Sequence, residues 1–260
     1  MDPCGHPEHE EHPLKAEPSA QLTLLDLQAK DSALAQLDHR RTSLPEHARI
    51  AELEKQSEEL DGQRIEADTA VSDLTRAQAK ADAEVEQVKA RRARDEDRLS
   101  SGAITNPKDL ASLQHELGAL ERRISTLEDD ELEVMEQLEE AQNRLNSVTA
   151  DLDAVKVDLE HVTTARDSAI EAIDAQAATA ANEREEVLAQ VPEDLLSLYS
   201  KVREQYGGLA AAVLRARRCE GCRLELNGAD LREIAAKPDD EVLRCPECSR
   251  ILVRTAESGL

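Results

Sequence analysis

The chain has no Phe and no Trp, and its two Tyr leave aromatics at 1% of 260 residues. Aromatic side chains bury ~150–250 Å² each and dominate globular cores, so a single large spherical core is excluded. Long apolar runs are missing too. Nothing approaches the roughly 20 apolar residues that span a bilayer. The N-terminus MDPCGHPEHEEHP is acidic and His-rich where a secretory signal would be basic and then apolar. The expected compartment is the cytoplasm, with no membrane partner, and in a reducing compartment paired cysteines hold metal more readily than they form disulfides. A phosphate-binding glycine loop, a Ser/His/Asp set and an open metal set are also lacking, so an enzyme is not expected.

What is present is charge and helix-forming residues. Charged residues make up 34% of the chain, and the rest is rich in Ala, Leu and Gln, the composition of long helices that meet along narrow seams. From Leu110 a 3-4 spacing runs through Leu113, Leu117, Leu120, Ile124 and Leu127 to Leu159, Val162, Ala169 and Ile173, broken only at Glu131 and Arg166. A heptad sustained this long keeps one apolar stripe facing a partner helix. TNPKDL marks the start, with Asn106 as N-cap, Pro107 at the first helical position and Asp109 in the first turn. At 1.5 Å per residue the helix from Pro107 to about Glu183 runs on the order of 115 Å.

The partner stripe lies upstream: Leu24, Leu27, Leu34, Leu37 and Leu44, an interruption at Pro45, then Ile50, Leu53, Leu60, Val71, Leu74, Ala81, Val85 and Val88 up to Leu99. A kink or short loop is expected at Pro45. SSGAITN, residues 100–106, is too short to return the second helix parallel to the first, so the pair is antiparallel, with its tip near Ala103 and residue i opposite roughly 209 − i.

Cys219, Cys222, Cys245 and Cys248 form a C-x2-C-x22-C-x2-C pattern. Each pair is a turn converging two sulfurs, and two turns supply a tetrahedral set of thiolates for one structural Zn2+ with no position left for a reactive water. The flanks LAAAVLRARR, EVLR and SRILVR read as strands and NGADLREIAAK as a short helical or turn insertion. With about 50 residues and few large core side chains, this module is expected to need metal to fold. Cys4, His6, His9 and His12 form a second candidate metal set, in a Pro-rich tail that reads as disordered. Whether they bind metal is left open.

Three blocks then resemble a known family, the bacterial C4-type zinc-ribbon proteins with an N-terminal coiled-coil hairpin. They are ITNPKDLASLQHELGALERRISTLEDDELEVME after the turn, VPEDLLSLYSKVREQYGG leading out of the coiled coil, and CEGCRLEL with RCPECSRIL in the ribbon. The resemblance covers about residues 19–254. Val253 stands where an aromatic often closes the final strand. It implies a two-part protein described as binding nucleic acid or as a regulatory adaptor of transcription, motility or secretion machinery, without catalysis.

The expected organisation is a disordered His-rich tail (1–18), an elongated all-α antiparallel coiled-coil hairpin (19–205), a Gly207-Gly208 hinge and a small C-terminal β zinc ribbon (209–260). Charge separates the functional readings. The net charge is −24, yet residues 209–260 hold 9 Lys+Arg and 9 Asp+Glu, so the acidity lies on the tail and hairpin, which repel a phosphate backbone. Arg215, Arg217, Arg218, Arg244, Arg250 and Arg254 cluster around the ribbon and are the candidate contacts to RNA or DNA. Arg91, Arg92, Arg94, Arg122 and Arg123 gather near the hairpin tip and are the candidate docking residues for a protein partner. The only base-stacking platforms are Tyr199 and Tyr206, for which packing against the ribbon is expected. The sequence therefore points to a regulatory adaptor with a nucleic-acid-binding ribbon and a protein-docking coiled coil; the alternative is a purely protein–protein scaffold of transcription, translation, motility or secretion machinery. Leu132, Val157 and Ile170 lie off the main stripe and leave monomer or homodimer open.

Overall fold

The computed structural model describes residues 14–102 and 104–260. The Cys4, His6, His9 and His12 set, most of the tail and Ala103 at the turn lie outside the described residues. The elements, in chain order, are α1 (Pro18–Thr42), α2 (Pro45–Ser100), α3 (Pro107–Leu188), α4 (Glu193–Gln205), β1 (Ala211–Arg215), β2 (Arg218–Cys219), α5 (Gly228–Ala236), β3 (Leu243–Arg244) and β4 (Ile251–Val253). This is the antiparallel coiled-coil hairpin and small β ribbon that the heptads and cysteines require.

Local chemistry sets the helix ends. At the start of α3, Asn106 Oδ1 accepts from Lys108 N at 3.1 Å, with Pro107 in the first turn. At Pro45 the chain leaves α1 and restarts as α2, because Ser43 N–H and hydroxyl both turn back onto His39 O, at 2.9 and 2.6 Å, and proline suits a first helical position.

The chain divides into two compact units, residues 45–165 and residues 1–44 with 166–260. In the first, α2 and the early part of α3 pair antiparallel. Ile50, Leu53 and Val85 of α2 and Leu113, Ile124, Leu127, Leu138, Val148, Leu152 and Val155 of α3 are buried, which are seam residues of the heptads, and Ala67, which the stripe did not include, is buried too. The expected register places residue 118 opposite Arg91, which pairs with Glu116, while Lys89 reaches Glu128 at 2.8 Å. The hydrogen bond to Asp82 raises the Glu131 carboxyl above its ordinary value. The first break in the heptad therefore faces another acid across the seam. Leu132 and Val157 are exposed, and Ile170 is half-buried.

In the second unit α1, the end of α3 and α4 carry the ribbon. Its sheet has the order β2-β1-β4-β3, with β1 antiparallel to β2, parallel to β4, and β4 antiparallel to β3. One core joins the sheet to the helices: Leu24 and Leu27 of α1, Leu195, Tyr199 and Val202 of α4, and Ala210, Ala211, Val242, Ile251 and Val253. The other joins the sheet to α5 and the cysteines: Leu214, Leu226, Ile234, Leu243, Leu252, Cys219 and Cys245. The strands thus have an apolar face that involves no sulfur, which the expectation of a wholly metal-dependent ribbon did not contain.

The exit from α4 is not a free hinge. Gly207 and Gly208 have φ of 65° and 98°, and Gly208 N–H caps the helix on Arg203 O at 2.9 Å, a left-handed close that glycine makes without a Cβ clash. Gln28 of α1 then holds the entry to the sheet: its Nε2 donates to Gly208 O at 3.0 Å and its Oε1 accepts from Ala210 N at 2.6 Å.

Candidate metal centre

β1 and β2 form a tight hairpin that delivers Cys219 at its end, and β3 runs directly into Cys245. In each knuckle the residue after the second cysteine is left-handed, Arg223 at φ 64° and Ser249 at 57°. Arg223 N donates to Cys219 O at 2.7 Å, and Ser249 N donates to Cys245 O at 2.8 Å. These bonds close both turns and aim their sulfurs inward. Gly221 is the tight point of the first turn, because a Cβ there would lie 2.9 Å from Ala212 Cβ.

The four Sγ atoms lie within 4.8 Å of one another, with Cys219 to Cys248 and Cys222 to Cys245 each at 4.0 Å. A tetrahedral zinc with bonds of ~2.3 Å needs sulfurs about 3.8 Å apart. The donor set fits one structural zinc, and four soft thiolates close the coordination sphere. Burial pushes the Cys219 and Cys245 thiols above their ordinary value. Burial also works to raise Cys248, but hydrogen bonds from the Arg250 main chain and guanidinium outweigh it and leave this thiol below its usual value.

The candidate arginines separate into two sorts. Arg254 is threaded into the ribbon, donating to Lys237 O at 2.9 Å and Ile234 O at 3.3 Å. Arg250 donates to Leu209 O at 2.9 Å and lies 5.5 Å from the centre of the Tyr206 ring. Arg215 pairs with Glu257 at 2.7 Å. Arg244 is exposed and bonds Ser249 O, and Arg217 bonds Gly259 O. Arg218 is exposed beside them. Near the hairpin turn, Arg91 pairs with Glu116 and Arg92 with Glu96. Arg94, Arg122 and Arg123 are exposed and have no ion-pair partner among the described residues. Tyr199 is buried and Tyr206 packs on the same core, so both tyrosines serve packing.

A buried polar cluster had not been anticipated. Asp31 is 2% exposed and accepts from Tyr199 Oη and Arg184 Nε, both at 2.7 Å, with Arg203 Nε at 3.3 Å. Burial and the bond to Asp31 drive the Tyr199 hydroxyl far above its ordinary value. The signal was available, since Asp31 stands at the 3-4 position between Leu27 and Leu34 where an apolar residue belongs.

A profile for the CT398-like coiled-coil hairpin domain matches residues 27–207, and one for the C4-type zinc ribbon domain matches residues 218–252. Two uncharacterized proteins from strains CDC 1551 / Oshkosh and H37Rv of Mycobacterium tuberculosis are each 36% identical over 241 residues, 93% of this chain and 98% of theirs. A solved structure from Mycobacterium smegmatis is similar at a TM-score of 0.80 and 35% identity, over 93% of this chain and 100% of its own. The structure of CT398 from Chlamydia trachomatis shares the fold at a TM-score of 0.66 and 16% identity, over 91% and 98%. Among the described residues no helix is long and apolar enough to cross a membrane.

Proposed function

The chain belongs to the family of CT398-like coiled-coil hairpin proteins that carry a C4-type zinc ribbon, and on that premise we propose that it is a non-enzymatic adaptor of the cytoplasm that works by docking a protein partner. Residues 19–205 act as the docking arm and residues 209–260 as a zinc-stabilised second contact. The observation that carries this reading is the set of cations Arg94, Arg122 and Arg123 near the turn, exposed and without ion-pair partners among the described residues on a chain of net charge −24. Exposed cations of this kind recruit an acidic protein surface.

A nucleic-acid contact is the second reading, favoured by Arg217, Arg218 and Arg244, which leave the ribbon surface exposed. It is narrower than the six-arginine patch, because Arg215, Arg250 and Arg254 are engaged within the ribbon. A zinc held by four thiolates adds a further net charge of about −2, which opposes phosphate binding.

Affinity capture from the native cell, with and without nuclease, separates the two. The adaptor reading expects partners that survive nuclease and are lost when Arg94, Arg122 and Arg123 are changed to Glu. Partners that vanish with nuclease and persist in that variant overturn it, and binding of the zinc-loaded protein to RNA or DNA at low salt, where electrostatic contacts are strongest, then identifies the ribbon as the contact.

A further inference from the structure

The outer side of α3, away from its seam with α2, carries an ordered run of charge within the unit of residues 45–165. His115, Arg122, Asp129 and Glu136 follow one another at seven-residue steps, which keeps them on one stripe of a supercoiled helix at intervals of about 10.5 Å. All four are exposed and have no ion-pair partner among the described residues. Arg122 lies back over Gly118, its Nη1 3.7 Å from the point where a Cβ would sit. Arg123 and Asp130, one position further on, repeat the order of cation then anion and are exposed as well. Between the cations and the anions stand the short side chains of Ser125 and Thr126. In the anionic half Leu132 is 57% exposed.

We propose that this stripe is a self-association surface, on which a second copy of the chain lies antiparallel along α3 about a two-fold axis between Ser125 and Thr126. Read forwards the stripe runs imidazole, cation, anion, anion, and an antiparallel copy presents the reverse order. His115 then meets Glu136 and Arg122 meets Asp129, and symmetry repeats each pairing on the other side of the axis. Arg123 and Asp130 approach within the same turn. A parallel copy would set cation against cation and anion against anion, so charge selects the direction. An unrelated acidic surface would satisfy the arginines but would face Asp129 and Glu136 with like charge, which favours a second copy over it. The short Ser125 and Thr126 at the axis permit the roughly 8–10 Å spacing of packed helices. Leu132 is carried onto Ala119 and the aliphatic stem of Arg122 in the second copy, out of water. The net charge of −24 does not oppose this strongly, because exposed charges more than about 8 Å apart are largely screened at physiological ionic strength. The stripe is on the order of 30 Å long on one helix, so the contact is small and dissociation at micromolar concentration or above is expected. Arg122 and Arg123 belong to the docking cations described above, and on that reading the acidic surface they meet is a second copy.

Sedimentation equilibrium of the zinc-loaded full-length protein at physiological salt is expected to show monomer and dimer in exchange at micromolar to submillimolar concentration. Two double variants, Arg122→Glu with Arg123→Glu and Asp129→Arg with Asp130→Arg, are each expected to weaken dimerisation roughly tenfold or more, because like charges then face one another. Their equimolar mixture is expected to regain the association of the wild type, since every facing pair in the mixed dimer is again of opposite sign. The four positions are exposed and Glu and Arg both favour helix, so the far-ultraviolet helical signal stays that of the wild type. A wild type that remains monomeric overturns the self-association and leaves the capture experiment above to decide the adaptor reading by itself. A dimer that either variant retains in full, or a mixture that stays monomeric, places the contact on another face and overturns the proposal equally. A dimer that behaves as expected while no partner is captured from the cell supports the two-copy contact and removes the adaptor instead.

Discussion

Asp31 accepts hydrogen bonds from Arg184 and Tyr199 and pairs ionically with Arg203 at a seam position that the heptad assigns to an apolar residue. Its neighbours Arg184, Arg203 and Tyr199 were placed around a charge, so removing that charge leaves two cations and a buried hydroxyl without their acceptor. Loss of one partner from a buried pair typically costs ~3–5 kcal/mol; the lower figure applies, because Arg184 and Arg203 keep 23% and 38% of their side-chain exposure. Asp31→Ala is therefore expected to destabilise the unit that carries the ribbon by about 3 kcal/mol, and Asp31→Asn by less. Denaturant unfolding monitored by tyrosine emission checks this, since Tyr199 and Tyr206 both belong to that core. Gly221 makes a similar case by shape alone. Its missing Cβ would meet Ala212 Cβ at 2.9 Å and Arg250 Cδ at 3.3 Å, so Gly221→Ala forces the first knuckle away from β1. Overpacking of this kind costs roughly 1–3 kcal/mol, and the expected readout is faster loss of zinc to a chelator with helical content unchanged.

The helices show what a one-dimensional pattern can and cannot convey. The seam of α3, its Asn106 cap and the break before Pro45 were all legible, because heptad spacing, capping and proline chemistry act between residues a few positions apart. The α5 insertion was legible only as a helix or a turn; the Asn227 cap, which accepts from Ala229 N and Asp230 N at 2.9 and 3.0 Å, decides for the helix. The parallel pairing of β1 with β4 was not, since strands of five and three residues carry no mark of which distant strand they meet. Nor was the clamp of Gln28 on Gly208 and Ala210, because a carboxamide half-way along a polar helix looks like any surface residue until its partner is in place. Glu131 lies between these cases: its departure from the heptad was visible, but not the acid opposite it. A carboxyl whose folded value is raised contributes stability that is fully present below its unfolded value and is lost as pH rises through the folded one. The α2–α3 pairing is thus expected to strengthen slightly on mild acidification from neutral pH. Glu131→Gln is expected to raise the thermal midpoint a little at pH 7, with the difference shrinking as pH falls. A gap that widens on acidification counts against the shared Glu131–Asp82 bond.

At the scale of the whole chain the two apolar cores of the ribbon divide what zinc holds from what the helices hold. Leu214, Leu226, Ile234, Leu243 and Leu252 surround Cys219 and Cys245, so they lose their organiser with the metal, as small metal-supported modules do. Ala210, Ala211, Ile251 and Val253 lie instead against Leu24, Leu27, Leu195 and Tyr199, where no sulfur takes part. β1 and β4 contribute to both sides, with Ala211 paired to Ile251 and Val213 to Val253, so the sheet retains an apolar partner after the zinc has gone. Cys219→Ser, or chelation of the wild type, is accordingly expected to release α5 and the two knuckles while the strands stay docked. Hydrogen exchange checks this directly. Amides of Leu226, Leu231 and Ser249 should lose protection, whereas Ile251 N, which donates to Ala210 O at 2.8 Å, and Ala210 N on Gln28 should keep most of theirs, with the helical signal intact. Simultaneous loss of protection at all five amides would mean that the helices do not hold the sheet without metal, and that the two cores fold as one cooperative body.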